Sequence, residues 1–508
     1  MTKRVSAARA VVFMGAAQAC RLMVTFITAP ILGRLLHPAD FGLIATSAPI
    51  IGFVTMIQNL GLTQAIIQRQ TITKGQINTL FWLSLLLSLT FAAGLLLLAP
   101  SLARYFQEPR LTAVIWVGAA LTVVSVIGEQ PMALLTRSLR FRLLAVLDIL
   151  GIVIGAALGV AIAWYTRSYW ALLVPLACAR FLSLIISALA VRWLPGRPVW
   201  DEAARQMIGF GAGLSTFNIL NFLARSADNL MIAKAHGAVA LGFYDRAYKL
   251  MLLPLTQATW PLSRIMTPIL SRLQDEPEEY RLTYINSVSL LMLAVQPSLL
   301  CAVMYSDATV SLLLGSKWAE AAPIFAWLGF AGLHQTFTST TGWLFISQGR
   351  MRELGIVGLV SSTSTIASFA VGLPWGPLGV AISYVVSDYT LRLPFTWYMT
   401  GRSGYVGIGD ISRIVIPHAC GLLVSASALA LIKVSLHVSS PIELGGVLIV
   451  TYAINSAVLM LFRSKRLLMI QALKVAYRGV MLRPTSSTGR PSCRNPPDDG
   501  SPSQSASN

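Results

Sequence analysis

The sequence predicts an all-α polytopic membrane protein: about fourteen transmembrane helices, as two pseudo-symmetric six-helix lobes plus two C-terminal helices. Three observations predict it. Apolar runs of roughly 18 residues or more recur along almost the whole chain. Only 12% of residues are charged and mean hydropathy is +0.68, against a charged share of roughly 25% in soluble proteins. A motif also returns in the second half: ILGRLLHPADFGL (31–43) is matched by MIAKAHGAVALGF (231–243). Ile31, Leu32, Arg34 and Gly42 fall opposite Met231, Ile232, Lys234 and Gly242.

The expected helices run in order 10–32, 41–66, 79–103, 111–135, 143–165 and 168–192 for the first lobe. The second lobe comprises 207–235, 241–268, 284–305, 318–346, 354–374 and 376–398, and the additional pair 411–433 and 442–463. The first continues as an apolar run past Arg21 to Pro30, too long for a cleaved signal segment. In the fifth, GIVIGAALG places Gly151, Gly155 and Gly159 on one stripe, which favours close helix packing. Trp164, Tyr165, Tyr169 and Trp170 fit an aromatic belt at the membrane surface. Only GLPWGPLG separates the eleventh and twelfth helices. The domain reading is therefore 1–206 (first lobe with a linker), 207–400 (second lobe), 401–463 (two added helices) and 464–508, a basic, then Pro/Ser-rich tail too polar to fold.

The net charge of +19 does not point to nucleic acid. Lys and Arg cluster in alternate loops, around Arg69 and Lys74, Arg137 to Arg142, Arg192 to Arg205, Arg272 and Arg281, Arg350 and Arg352, and in the tail. That bias places both termini in the cytoplasm. The five cysteines have no metal spacing, and no cofactor or metal is expected. GFGAG (209–213) opens a membrane helix with no strand before it, so it is not a nucleotide loop.

The chemistry lies in polar groups at mid-membrane. LSTFNILNFLARSADNLMIAKA (214–235) carries Ser215, Asn218, Asn221, Arg225 and Asp228 at three-or-four-residue steps, one helical face. Arg21 and Arg180 are also central in their helices. A charge at a helix centre costs about 2.5–3.5 kcal/mol, so three arginines facing lipid would cost on the order of 8–10 kcal/mol. They are expected to face a hydrated cavity. Guanidinium forks match phosphate oxygens and stay charged at cellular pH, which suits a pyrophosphate head. Gln335, with His334, Thr338 and Thr341, offers groups for sugars. Local pairing is the competing reading. Arg225 and Asp228 are three apart, and Asp388 and Arg392 four apart, where a structural pair is favoured. Asp148 is within reach of Arg140 or Arg142, whereas Arg21 and Arg180 have no acid within reach on their own helices. Asp228 is the candidate for ion coupling.

Three stretches carry a family resemblance: GRLLHPADFGLIATSAPIIGFVTMIQNLGLTQAIIQR (33–69), PMALLTRSLRFRLLAVLDI (131–149) and SADNLMIAKAHGAVALGFYDRAYKL (226–250). They resemble the Wzx-type oligosaccharide flippases, the polysaccharide transporter branch of the multidrug/oligosaccharidyl-lipid/polysaccharide exporter superfamily, and within it the exopolysaccharide subgroup. The resemblance implies a multi-pass bacterial inner-membrane transporter that flips undecaprenyl-pyrophosphate-linked oligosaccharide repeat units for exopolysaccharide or lipopolysaccharide synthesis. It would work with a polysaccharide polymerase and export machinery. The substrate-binding set is then Arg21, Arg180, Arg225, Asn218, Asn221 and Gln335, with no catalytic residue. Two rivals remain. A drug/cation antiporter of the same superfamily would favour an acidic cavity. A membrane polymerase or ligase would need a larger outer loop than any here.

Overall fold

The computed structural model describes residues 2–59, 66, 72–138, 140–191, 193–200, 202–435, 438 and 440–471, and side chains for most of these. Among the described residues there is no strand. Residues 1–458 form one compact unit and 459–508 a second.

Six helices open the chain: α1 (Thr2–Leu35), α2 (Pro38–Asn59), α3 (Lys74–Tyr105), α4 (Leu111–Arg137), α5 (Phe141–Thr166) and α6 (Trp170–Val191). A capping box starts α3. The Thr73 hydroxyl accepts from the Gln76 backbone N–H, and the Gln76 side chain accepts from the Thr73 N–H, pairing donors that a helix start leaves open. The glycine stripe of α5 meets α6: a Cβ on Gly155 would fall 2.9 Å from the Pro175 Cα, and one on Gly159 2.9 Å from the Ala171 carbonyl. Extended residues 194–200 follow α6 and lie along α3, where Asn78 donates to the Arg197 carbonyl and Trp82 to that of Gly196.

One helical run, Glu202–Arg272, follows. Gly237, at φ 80° and ψ −178°, breaks it into α7 (202–236) and α8 (238–272). A side chain is strained at that φ, so glycine suits a one-residue turn between spans. Then come α9 (Pro277–Met304), α10 (Ser306–Leu314), α11 (Ala321–Thr338), α12 (Thr341–Ser347), α13 (Met351–Gly372), α14 (Gly376–Ser387), α15 (Leu393–Gly401), α16 (Ile408–Ser435) and α17 (Pro441–Leu461).

Each expected pass has its helix. Nine described segments are long and apolar enough to cross a membrane, and one of them, Met351–Gly401, contains α13, α14 and α15. Several details depart from the expectation. α10 was not foreseen. The expected helix 318–346 is broken between Thr338 and Thr341, and the expected helix 376–398 contains a π-helical turn, Asp388–Arg392. The helix expected at 41–66 is described as far as Asn59, and most of the expected tail lies outside the described residues.

The first six helices meet the later ones chiefly along α2 and the α7–α8 run. One end of this seam is densely closed. A Cβ on Gly42 would sit 1.7 Å from the Ala238 carbonyl oxygen, and one on Gly242 2.0 Å from that of Pro38. Trp318 packs edge-on to both Phe41 and Phe243 and donates its indole N–H to the Gly33 carbonyl. Arg34 donates to the Leu312 carbonyl at 2.9 Å, and Lys234 to the Tyr105 carbonyl at 2.7 Å. This is the sealed end; the opposite, basic end carries the turns rich in Arg.

Candidate functional site

A cavity of about 540 Å³ opens among the helices after residue 202. Its walls come from α7 (Arg225, Asp228), α8 (Tyr248, Thr256, Thr259), α11 and α12 (Gln335, Thr338, Thr341), α13 (Ser361, Ser362, Thr365) and the α14–α15 segment (Tyr384, Asp388, Arg392). The lining is hydroxyl-rich for a physical reason. Ser and Thr on a spanning helix can return their hydroxyl to a carbonyl one turn back, as Thr256 does to Leu252 at 2.9 Å. Such residues coat a wet wall without breaking the helix. The Thr259 hydroxyl is buried on this wall with no partner among the described residues.

An ionic knot closes one side of the cavity. Arg392 Nε lies 3.0 Å from Asp388 Oδ1, as their four-residue spacing favoured. Arg392 also donates to the Thr365 hydroxyl at 2.7 Å and the Tyr384 carbonyl at 3.0 Å, and its guanidinium covers the Tyr384 ring at 4.2 Å. Gln335 donates to the Tyr384 hydroxyl at 2.9 Å and to Asp388 at 3.3 Å. His334 Nε2 stands 2.7 Å from Asp388 Oδ2. Both Asp388 and Arg392 belong to the π-helical turn, a feature often found at functional sites.

The expected site residues divide into groups. Arg225, Asp228 and Gln335 share the cavity wall. Arg225 is exposed, Asp228 buried, and no ion pair joins them among the described residues. Asp228 instead accepts the Asn229 backbone N–H at 2.8 Å. Arg21 and Arg180 do not border this cavity; they sit on α1 and α6. The expectation that Asp148 joins Arg140 or Arg142 is corrected: Asp148 lies 3.7 Å from Arg21, with both side chains about half exposed (56% and 49%). Spacing along one helix could not show this, because the partner comes from α5. Arg180 likewise has an acidic electrostatic neighbour from another helix, Glu129 of α4. The side chains of Asn218 and Asn221 lie outside the described residues.

Two features were missed. The SSTST run at 361–365 supplies cavity hydroxyls, and so dense a hydroxyl cluster in an apolar helix was the available signal. Asp245 is buried between Arg246 and Lys249, at 2.9 and 2.8 Å, and Arg246 covers Phe41 at 4.4 Å across the seam. Gln18 of α1 bonds Gln257 of α8 at 2.9 Å along the same seam. These groups sit on one α8 face at helical spacing, legible as a stripe once a facing lobe is assumed.

Three comparisons bear on this arrangement. The chain is 26% identical over 332 residues to the lipopolysaccharide biosynthesis protein WzxC of Escherichia coli (strain K12), covering 63% of this chain and 66% of that one. It is 24% identical over 374 residues to the succinoglycan biosynthesis transport protein ExoT of Rhizobium meliloti (strain 1021), covering 73% and 76%. The fold matches the lipid II flippase MurJ in an inward closed conformation with a TM-score of 0.70 at 11% identity, over 89% of this chain and 99% of that one. Residues 31–323 match the family described as polysaccharide biosynthesis protein, and the chain, an all-α multi-pass membrane protein, belongs to that family.

Proposed function

We propose that this protein flips undecaprenyl-pyrophosphate-linked oligosaccharide repeat units across a bacterial inner membrane by alternating access, supplying exopolysaccharide or lipopolysaccharide synthesis. The observation that carries the reading is a hydroxyl- and guanidinium-lined cavity within a membrane helical bundle of this family. Sugars need many weak hydrogen-bond partners, and a pyrophosphate needs cations that remain charged. Arg225 and Gln335 are assigned to the cavity, with Asn218 and Asn221 on the same α7 face by spacing. Arg21 and Arg180 are assigned to the pyrophosphate. The half-exposed Arg21–Asp148 contact supports this, since a phosphate can displace a half-exposed carboxylate at little cost. Asp228 remains a candidate for coupling.

The reading takes the basic end as cytoplasmic and the sealed end as periplasmic, by the positive-inside rule. The structure is then closed outward, and its two halves must part at the sealed end to release substrate. A polymerase and export machinery would receive the product.

Deletion of the gene tests the reading against an enzyme. Loss of a flippase accumulates lipid-linked repeats on the cytoplasmic face. Unpolymerised repeats on the periplasmic face would instead establish a polymerase and overturn the proposal.

A further inference from the structure

We infer that residues 193–200, which join the two halves of the chain, form a strap lying in the bilayer surface, with Arg197 and Lys74 taking the headgroup of an anionic phospholipid. The lipid contact stands without the transport reading; only the choice of the inner leaflet rests on that reading's placement of the basic end.

The strap is extended, yet among the described residues no strand pairs with it. The start of α3 satisfies it instead. The Thr79 hydroxyl accepts the Val199 N–H at 2.7 Å and donates to the Val199 carbonyl at 2.7 Å. Asn78 donates to the Arg197 carbonyl at 3.2 Å, and the Trp82 indole to that of Gly196 at 2.9 Å. Gly75 makes room for the seat: a Cβ there would fall 2.5 Å from Val199 Cγ2. Pro195 and Pro198 have no N–H to place. A loop in water needs none of this, because water bonds to open backbone groups. A non-helical segment at the edge of hydrocarbon does need it, since lipid tails offer no partner.

The rest of the strap is apolar and open. Leu194 is 86% exposed, Trp200 62% and Val199 48%. Trp193 packs edge-on to Phe81 at 5.4 Å, as does Trp82. Three tryptophans thus gather at one corner of the basic end, and tryptophan favours the headgroup level. The depth agrees. With 32 residues, α3 is about 48 Å long. The hydrocarbon core is about 30 Å thick, which leaves about 9 Å of a centred helix beyond it at each end. Trp82 comes about 12 Å along from Lys74, so its bond to Gly196 brings the strap to the hydrocarbon boundary.

Charge selects the lipid. Arg197 and Lys74 are exposed, and neither has a carboxylate in ion-pair range among the described residues. Lys74 lies one turn before Asn78, which holds Arg197, so the two cations share one face of α3. Glu202 is the nearest described acid in sequence. It stands in the first turn of α7, where the helix dipole favours it. Two cations at this level suit a headgroup of net negative charge, as basic segments at membrane surfaces do. One residue, Asp201, separates the strap from α7. The halves are therefore joined at a point held in the leaflet.

The test uses the full-length protein, stripped of its five cysteines, in nanodiscs of phosphatidylcholine with or without phosphatidylglycerol. Nitroxides on Leu194→Cys and Trp200→Cys are expected to collide with oxygen several-fold more readily than with a water-soluble nickel chelate. A label on Glu279→Cys, exposed in the first turn of α9, is expected to do the reverse. Nickel access at the strap equal to that at position 279 overturns its place in the bilayer. Thr79→Val should raise nickel access at both strap positions several-fold, and Thr79→Ser, which keeps the hydroxyl, should not. If Thr79→Val does not fold, the profile of the intact strap decides alone. Phosphatidylglycerol should slow the label at position 194, and the double variant Arg197→Gln, Lys74→Gln should lose that response. An equal response in the double variant overturns the headgroup assignment, and the same slowing by inorganic phosphate overturns a lipid as its source. Flipping is read in neither arm, so a failure of the transport reading is a separate result.

Discussion

Gly42 of α2 and Gly242 of α8 meet each other across the seam between the two halves of the chain. A Cβ on Gly42 would lie 3.0 Å from the Gly242 nitrogen, and one on Gly242 3.3 Å from the Gly42 nitrogen. These two residues occupy matching places in the sequence repeat. Near-reciprocal contacts between matched residues are what a pseudo-two-fold axis through the crossing produces. The cations matched in the same repeat behave alike: Arg34 reaches the carbonyl of Leu312, in the later half, and Lys234 that of Tyr105, in the first.

The crossing has no room for a side chain, because the atoms a Cβ would strike are backbone. Gly42→Ala and Gly242→Ala should each destabilise the protein by about 1–3 kcal/mol, the usual range for overpacking. Thermal unfolding in detergent measures it. An unchanged midpoint for both variants would show that the helices do not cross so closely.

Arg34 and Lys234 tie the sealed end through hydrogen bonds from charged donors, each worth about 1.5–3 kcal/mol at most. Lys234 also lies 4.2 Å over the Tyr105 ring. The double variant Arg34→Ala, Lys234→Ala should open this end more often. Alkylation of a cysteine placed at Ala238 reads the opening, and a rise of several-fold is expected. An unaltered rate would mean that the seal does not depend on the two cations.

Arg21→Ala and Arg180→Ala should abolish polysaccharide export while the protein still reaches the membrane. Arg→Lys at either position should restore it only in part, because a point charge lacks the guanidinium fork. Export assays with membrane immunoblots check both. Normal export by the alanine variants would remove these residues from substrate handling, and full rescue by lysine would reduce their role to net charge.

The turn between α3 and α4 should be acid-sensitive. Arg110 donates to Glu108 at 2.8 and 3.0 Å and also to Asp40 at 3.2 Å. The hydrogen bond from Arg110 holds the Glu108 carboxyl below its ordinary value of 4.5. A depressed carboxyl pKa contributes stability that is present above the unfolded value and lost as pH falls through the folded one. Stability should therefore drop below about pH 4.5, and Glu108→Gln should flatten that part of the profile. Identical acid profiles for wild type and variant would contradict the assignment.

Much of this fold can be read from the residues, and the physical reason is local. Spans are written in continuous apolar runs, and the Asp388–Arg392 pair and the α5 glycine stripe in helical spacing. What spacing along one helix cannot show is a partner from another. Arg21 has no acid within reach on α1, yet Asp148 arrives from α5. Arg21 and Arg180 look equivalent to Arg225 by depth, but only Arg225 borders the cavity. The breaks after Thr338 and at Asp388 have neighbours that bear on them, Gly342 and Pro394, the latter lacking the N–H that would bond back into the π turn.

The most direct measurement locks the sealed end. A Cβ on Gly33 falls 3.3 Å from the Leu314 Cα, so Gly33→Cys and Leu314→Cys, in a protein otherwise stripped of cysteine, bring two thiols together across the seam. In proteoliposomes bearing lipid-linked glycan, the reduced protein should flip substrate, the oxidised protein should not, and reductant should restore flipping. Undiminished flipping by fully cross-linked protein would contradict the account.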